Sequence, residues 1–141
     1  MSQLTEDPLE GELLQTLLTE TADPEAGALV IFGGTVRFDG RVQAIDYSVY
    51  APLAIKTLRE LETETLARFA DVRKLRIVHR TGLLAVGELS VLIVLRAGHR
   101  KQAFEAAQWA MDTLKARVPV WKQEHYTDGS KEFLPGTPLP T

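Results

Sequence analysis

Hydrophobic residues recur at helical spacing in three segments of the chain, each with polar residues on its other face. The first segment covers about residues 8–20, where Asp7 and Pro8 stand as an N-cap residue and a first helical residue would. The second runs from Pro52 to about residue 70, and the third from about residue 99 to 116. The pattern therefore predicts three amphipathic helices.

Two apolar stretches lie between the first two helices. Residues 28–37 and the alternating segment 41–50 are separated by Asp39-Gly40, a pair that favours tight turns. The prediction is a β-hairpin. Gly33-Gly34 interrupts its first strand, and paired glycines in a strand indicate a bulge or the close approach of another backbone.

Three further strands are predicted in the second half of the chain. They cover residues 72–78, residues 89–95, and residues 120–126 with a turn at Asp128-Gly129 into a short return. The run 89–95 is apolar on both alternating faces, which is typical of a strand in the middle of a sheet. This order of elements predicts an α+β fold, with helices packed on an antiparallel-rich sheet, rather than a doubly wound parallel sheet.

Length, composition and charge narrow the class of protein. The chain has 141 residues, 45% hydrophobic and 25% charged, which predicts one domain (residues 1–133) and a proline-rich tail (residues 134–141). A formal net charge of −3 argues against a nucleic-acid-binding protein. Because there is no run of about 18 apolar residues and the start is acidic, we expect no membrane association and a cytoplasmic location.

The chain contains no cysteine. It therefore has no disulfide, thiolate metal site or persulfide chemistry of its own, and any sulfur that it handles has to be carried by another molecule. The three histidines, His79, His99 and His125, do not have the i,i+4 spacing of metal ligands on a helix. We expect neither a metal site nor a cofactor.

The candidate chemistry lies in basic residues. His99-Arg100 follows the apolar strand 89–95 and opens a helix, where unpaired N–H groups and the helix dipole favour an anion. The same pair could also face solvent in the first turn. Arg37, at the end of its predicted strand, is either a surface residue or an anion clamp, and composition does not choose between the two.

Lys115 and Lys122 each have an ordinary structural explanation. Lys115 stands near the C-terminal end of a helix, where a cation is favourable, and strand alternation would point Trp121 inward and Lys122 outward. In the functional alternative, the turn around Pro119 folds the strand back onto the helix and brings both ammonium groups to one pocket. Their repulsion would then lower the pKa of one lysine and free an amine for nucleophilic or base chemistry.

Together these motifs resemble the large, catalytic subunit family of molybdopterin synthases from about Gly27 to Phe133. The most specific part is the helix-to-strand block 111–124, which holds both lysines and a Pro-x-Trp-Lys spacing, with Gly98-His99-Arg100 before it. Supporting motifs are Gly34-Thr35-Val36-Arg37, Tyr50 with Pro52, Val78-His79-Arg80-Thr81-Gly82, and Gly87-Glu88.

The resemblance implies an α/β hammerhead-type fold and a sulfurtransferase of molybdenum cofactor biosynthesis. Such an enzyme uses the C-terminal thiocarboxylate of a small ubiquitin-like carrier subunit to convert cyclic pyranopterin monophosphate into the molybdopterin dithiolene. It also implies a homodimer that binds two carriers as a 2+2 heterotetramer. The strand near Phe32 is then expected to admit the carrier's Gly-Gly end, and the tail from Leu134 to cover part of that entrance.

The family's site residues carry over onto five basic positions of this chain. Lys115 and Lys122 match catalytic lysines, while Arg37, His99 and Arg100 match residues that bind the anionic substrate. We assign Lys115 to the carrier's terminal carbonyl, and Lys122 to polarising the substrate or assisting proton transfer. The whole set is expected to meet in one pocket.

Two departures and two alternatives remain. Ser48 stands where many relatives have an acidic residue, and no arginine follows Lys131. One alternative is a non-catalytic docking module for a ubiquitin-like sulfur carrier, which would not need both lysines together with His99 and Arg100. The other is an unrelated phosphate-binding domain, which would leave the Pro-x-Trp-Lys block unexplained.

Overall fold

The computed structural model describes residues 3–134, so the predicted tail lies outside the described residues except for its first residue. None of the described helices is both long and apolar enough to cross a membrane. The elements are β1 (Leu4–Thr5), α1 (Glu12–Glu20), β2 (Ala28–Thr35), β3 (Val42–Val49), α2 (Ala51–Arg68), β4 (Val72–Arg80), β5 (Gly82–Ala85), β6 (Leu89–Ala97), α3 (Arg100–Arg117), β7 (Val120–Tyr126) and β8 (Lys131–Phe133).

The strands form two four-stranded sheets. A central sheet has the order β1-β4-β6-β2 and a second sheet the order β5-β3-β7-β8, and every pairing except β1 with β4 is antiparallel. The predicted α+β class is therefore confirmed, and β6 lies inside its sheet as expected. The strands β1 and β5 escaped prediction because two and four residues are too short to show a period.

The central sheet is covered on both faces, which explains the apolar sequence of β6. Val91, Ile93 and Leu95 belong to the main core together with residues of α2 and α3. Leu92 and Val94 point the other way, into a smaller cluster with residues of α1. Because successive strand residues alternate between faces, only a strand with helices on both sides is apolar throughout.

The predicted hairpin between β2 and β3 is wrong. β2 pairs with β6 in the central sheet, whereas β3 pairs with β5 and β7 in the second. Between them the Asp39 carboxylate accepts the N–H groups of Arg41 and Val42 at 3.0 and 3.1 Å, which makes a local turn without strand pairing. The apolar strand β6 needs a partner on its free edge, and β2 supplies it, which separates β2 from β3.

The first helix starts later than predicted. It begins at Glu12, with Gly11 at the N-cap at a φ of 82°, so Pro8 lies before the helix rather than in its first turn. The Glu10 carboxylate accepts the backbone N–H of Leu89 at 2.9 Å. The segment before α1 is therefore bonded to the start of β6, a long-range contact that overrides its local helix signals.

Candidate active site

Lys115 and Lys122 line one cavity of about 330 Å³. Lys115 lies in the last turn of α3, and the extended Val118 at the helix C-cap sends the chain back into β7, which carries Lys122. The turn thus brings both side chains to one cavity, as the functional alternative predicted. The other lining residues are Phe32, Gly34, Thr35, Tyr47, His79, Ser90, Val91, Met111, Leu114, Val118 and Val120.

Strand pairing decides the direction of Lys122. On β7 it stands opposite Tyr47 of β3, and its Nζ lies 5.9 Å from the centroid of the Tyr47 ring, within range of a cation–π interaction. Trp121 is 36% exposed, whereas Lys122 is half-buried. Trp121 and Lys122 do lie on opposite faces of β7, but the directions expected for them are reversed. The side of β7 that carries Lys122 is the one that faces the cavity.

The electrostatics of the cavity favour an anion. None of the described residues that line it is acidic. Burial lowers the pKa of the Lys122 ammonium, and the charge of Lys115 lowers it further, while Glu124 acts in the opposite direction. Repulsion between the lysines was expected to lower one pKa, and the direction agrees, but desolvation is the larger cause. An anion that enters would relieve the repulsion between the two cations.

A neutral polar wall lies beside the lysines, and the sequence did not identify it as part of the site. It consists of Tyr47, His79 and Ser90, which are all buried. The rings of Tyr47 and His79 meet edge to face with centroids 5.5 Å apart, and His79 Nδ1 lies 2.8 Å from the carbonyl oxygen of Arg80. Burial and the Lys122 charge lower the pKa of His79 to about 4, whereas burial raises that of Tyr47.

Gly34, the second of the paired glycines of β2, lines the cavity. The register with β6 shifts between Gly34 and Thr35, which confirms the predicted bulge. A Cβ on Gly34 would stand 2.8 Å from Val91 Cγ1, and one on Gly33 would stand 2.6 Å from Leu89 Cδ2. Side chains of β6, rather than a second backbone, therefore approach these glycines within the described residues.

An apolar groove of about 520 Å³ adjoins the cavity between β2 and α3. It shares Phe32, Met111 and Lys115 with the cavity. Two apolar side chains on its walls, Ile31 and Phe104, are 43% and 64% exposed. Because β2 is the edge strand of the central sheet, the groove also offers backbone hydrogen-bonding groups to an extended chain.

The three predicted anion-binding residues lie elsewhere in the single chain. His99 is the N-cap residue of α3, but its side chain makes no capping hydrogen bond. The Asp71 carboxylate accepts the backbone N–H of His99 at 2.7 Å and lies 3.3 Å from His99 Nδ1. Arg100 is exposed, and at about 1.5 Å per residue Lys115 lies about 22 Å further along the helix. Arg37, exposed in the loop after β2, does not line the cavity. The expectation that five basic residues meet in one pocket is therefore wrong for one copy of the chain.

The buried His79 predicts acid sensitivity of the fold. Its folded pKa of about 4 lies below the ordinary 6.5, so the unfolded chain takes up a proton first as the pH falls. The contribution of the neutral His79 ring to the free energy of unfolding is complete above pH 6.5. It falls by up to about 3 kcal/mol as the pH is lowered toward 4. Urea unfolding between pH 7.5 and 4 should show a shallower pH dependence for His79→Gln than for the natural chain. Burial raises the pKa of Glu62, so Glu62 changes the pH dependence of stability in the opposite direction. It does so in both proteins and therefore does not affect their comparison. Equal pH dependence in the two proteins would contradict the prediction.

Comparison with known sequences gives a consistent result. The model of the family described as MoaE protein matches residues 4–117, a range that includes Lys115 and ends before Lys122. A molybdopterin synthase catalytic subunit from Dictyostelium discoideum is 46% identical over 119 residues, which covers 82% of this chain and 75% of that protein. Other relatives of that name are longer, and the chain spans as little as 33% of one of them.

Solved structures agree with the sequence comparison. Molybdopterin synthase from Staphylococcus aureus superposes with a TM-score of 0.84 at 29% identity, over 95% of this chain and 96% of that one. A protein–protein complex of subunits 1 and 2 of molybdopterin-converting factor from Helicobacter pylori gives a TM-score of 0.79 over 98% of this chain and 92% of that one. At 22% identity, the similarity to the Helicobacter pylori complex is evidence for the fold alone.

Proposed function

The chain belongs to the MoaE protein family, and we propose that it works as the catalytic subunit of a molybdopterin synthase. In this role it is a sulfurtransferase that moves sulfur from the C-terminal thiocarboxylate of a small carrier subunit to cyclic pyranopterin monophosphate. The observation that carries the proposal is the meeting of Lys115 and Lys122 in one cavity without acidic lining residues. Two anions, the substrate phosphate and the carrier's end, require such a cationic site.

The positions of the two lysines suggest different roles. Lys115 lines both the groove and the cavity, whereas Lys122 lines the cavity alone. A carrier end that arrives through the groove therefore meets Lys115 first, and its ammonium can polarise the terminal carbonyl. Lys122 faces the substrate in the cavity, and its lowered pKa gives it a larger neutral fraction near pH 7 for proton transfer.

The apolar groove fits the extended end of a carrier. A Gly-Gly terminus has no side chains, so its extended backbone can come close to the groove walls where a bulkier peptide would be stopped. Ile31 and Phe104 offer apolar contact to the residues before that end. The unpaired edge of β2 can add backbone hydrogen bonds, the usual way in which an extended peptide binds a sheet edge.

A second copy of the chain accounts for the separated anion-binding residues. One chain holds His99 and Arg100 about 22 Å from its own Lys115, too far for one small substrate. In a twofold dimer the start of α3 of one copy can approach the cavity of the other, which would bring the phosphate ligands to the lysines. We therefore propose a homodimer with two composite sites and a 2+2 complex with the carrier.

The decisive experiment is sulfur transfer in vitro. The purified chain is mixed with cyclic pyranopterin monophosphate and with a carrier that ends in a thiocarboxylate, and dithiolene product is measured. The control carrier ends in an ordinary carboxylate and should give no product. Binding of the carrier without any turnover would contradict the proposal and favour the alternative of a docking module.

The groove also makes a separate prediction about carrier affinity. Phe104→Ser should weaken carrier binding about tenfold, because an aromatic side chain at the centre of an interface commonly contributes more than 1 kcal/mol. Leu83→Ser is the matched control, since Leu83 is 57% exposed and lies on β5 in the second sheet. Calorimetric titration of each variant with the carrier tests this. Equal losses in both variants, or none in Phe104→Ser, would show that the groove does not bind the carrier.

A further inference from the structure

His79 places a hydrogen-bond acceptor in the wall of the cationic cavity. Its side chain is buried, with 5% of the residue exposed, and lines the cavity together with both lysines. Nδ1 lies 2.8 Å from the Arg80 carbonyl oxygen. Because a carbonyl oxygen can only accept, Nδ1 carries the proton and Nε2 keeps its lone pair. Among the described residues no hydrogen bond engages Nε2.

The other polar groups of the cavity wall are differently occupied. The Ser90 hydroxyl donates to the Gly34 carbonyl oxygen at 3.2 Å, and the hydroxyls of Ser90 and Tyr47 each contain both a donor and an acceptor. The ammonium forms of Lys115 and Lys122 only donate. His79 remains neutral near pH 7, since burial and the Lys122 charge lower its pKa to about 4. Its Nε2 is therefore an acceptor that carries no proton, and it is available to a ligand in the cavity.

A pterin-type substrate has two chemically different parts. Its phosphate is an anion, which ammonium and guanidinium groups bind. Its ring carries amide and amino N–H groups, which lysines cannot satisfy because they have no acceptor. An N–H group that is buried without a partner costs roughly the free energy of a tenfold to hundredfold loss of affinity. A cavity lined only by cations would therefore select phosphates without recognising the ring.

We infer that His79 is a specificity-determining residue, whose Nε2 accepts a hydrogen bond from a ring N–H of the bound heterocycle. The inference rests on the proposed function for the choice of a pterin ring. It gives the two walls of the cavity separate tasks: the lysines bind the anionic groups, and the neutral wall around His79 reads the ring. Tyr47, packed edge to face against His79, holds the imidazole in this orientation.

The test compares two probes that differ by one donor, pterin and N3-methylpterin. The natural chain should bind pterin about tenfold more tightly than the methylated compound, the size expected for one buried hydrogen bond. His79→Phe keeps a ring but has no acceptor, and should bind both probes equally. His79→Gln places a carbonyl oxygen within reach of the Nε2 position and should restore most of the preference. Calorimetry measures the affinities, and thermal unfolding of each variant reports stability separately.

Several outcomes would overturn the inference. The natural chain would bind both probes equally, or would bind neither at millimolar concentration. Alternatively, His79→Phe would keep the full preference, which would show that the bulk of the methyl group causes it. If His79→Phe does not fold, His79→Leu replaces it as the variant without an acceptor. In the sulfur-transfer assay the acceptor-free variant should raise KM about tenfold with little change in kcat. A natural chain without turnover would contradict the proposed function, while the probe preference would still decide the role of His79.

Discussion

Lys115→Ala is expected to lower sulfur transfer by on the order of 100- to 1000-fold, as the loss of one donor to a developing charge does in other enzymes. Among the described residues that line both the groove and the cavity, Lys115 alone is charged. In the proposed function it therefore stands where the carrier's end and the substrate would meet. Its role at the helix terminus contributes only about 0.3–1 kcal/mol, so the variant should still fold.

Arg117→Ala is the matched control for this prediction. Arg117 lies in the same last turn of α3 and forms an ion pair with Glu64, but it does not line the cavity. Its removal costs the helix a terminal cation and should leave turnover close to that of the natural chain. Single-turnover rates and thermal unfolding are measured for both variants. Full activity in a folded Lys115→Ala chain, or an equal loss in Arg117→Ala, would remove Lys115 from the chemistry.

Mixing Lys115→Ala chains with Arg100→Ala chains is expected to restore activity that neither variant has alone. In a composite site the cavity of one copy works with His99 and Arg100 of the other, so a mixed dimer contains one site with no substitution. Random exchange makes half of the dimers mixed, and recovery should reach about one quarter of the natural activity. The separation of Arg100 from the cavity within one chain motivates this experiment.

The control mixture combines Lys115→Ala with Lys122→Ala. Both residues line the cavity of the same copy, so every cavity in that mixture lacks one lysine and activity should stay low. Chains are mixed under conditions that allow dimer exchange, and light scattering establishes the oligomeric state before each assay. A monomeric natural chain, or equal recovery in both mixtures, would contradict the composite site.

Local patterns in the sequence were enough to predict most of the regular structure. The helices α2 and α3 and the strands β6 and β7 lie within a few residues of their predicted bounds. The spacing of apolar residues reflects whether a segment is a helix or a strand and which of its faces are buried. The bulge at Gly34 was also predicted, since a glycine pair in a strand is a local signal. The absence of cysteine and the basic character of the candidate residues were likewise readable from the sequence.

Only the tertiary structure decided how these elements meet. The hairpin prediction failed because β2 pairs with β6 instead of β3. Alternation places Trp121 and Lys122 on opposite faces of β7, but the pairing of β7 with β3 decided which of them faces the cavity. His79 entered the site for the same reason, as β4 and β3 bring it against Tyr47 beside the lysines. The sequence by itself determined which basic groups are present and on which elements they stand. Their distances, their burial and the positions of the predicted anion-binding residues depend on contacts between segments far apart in the chain, which no local period encodes.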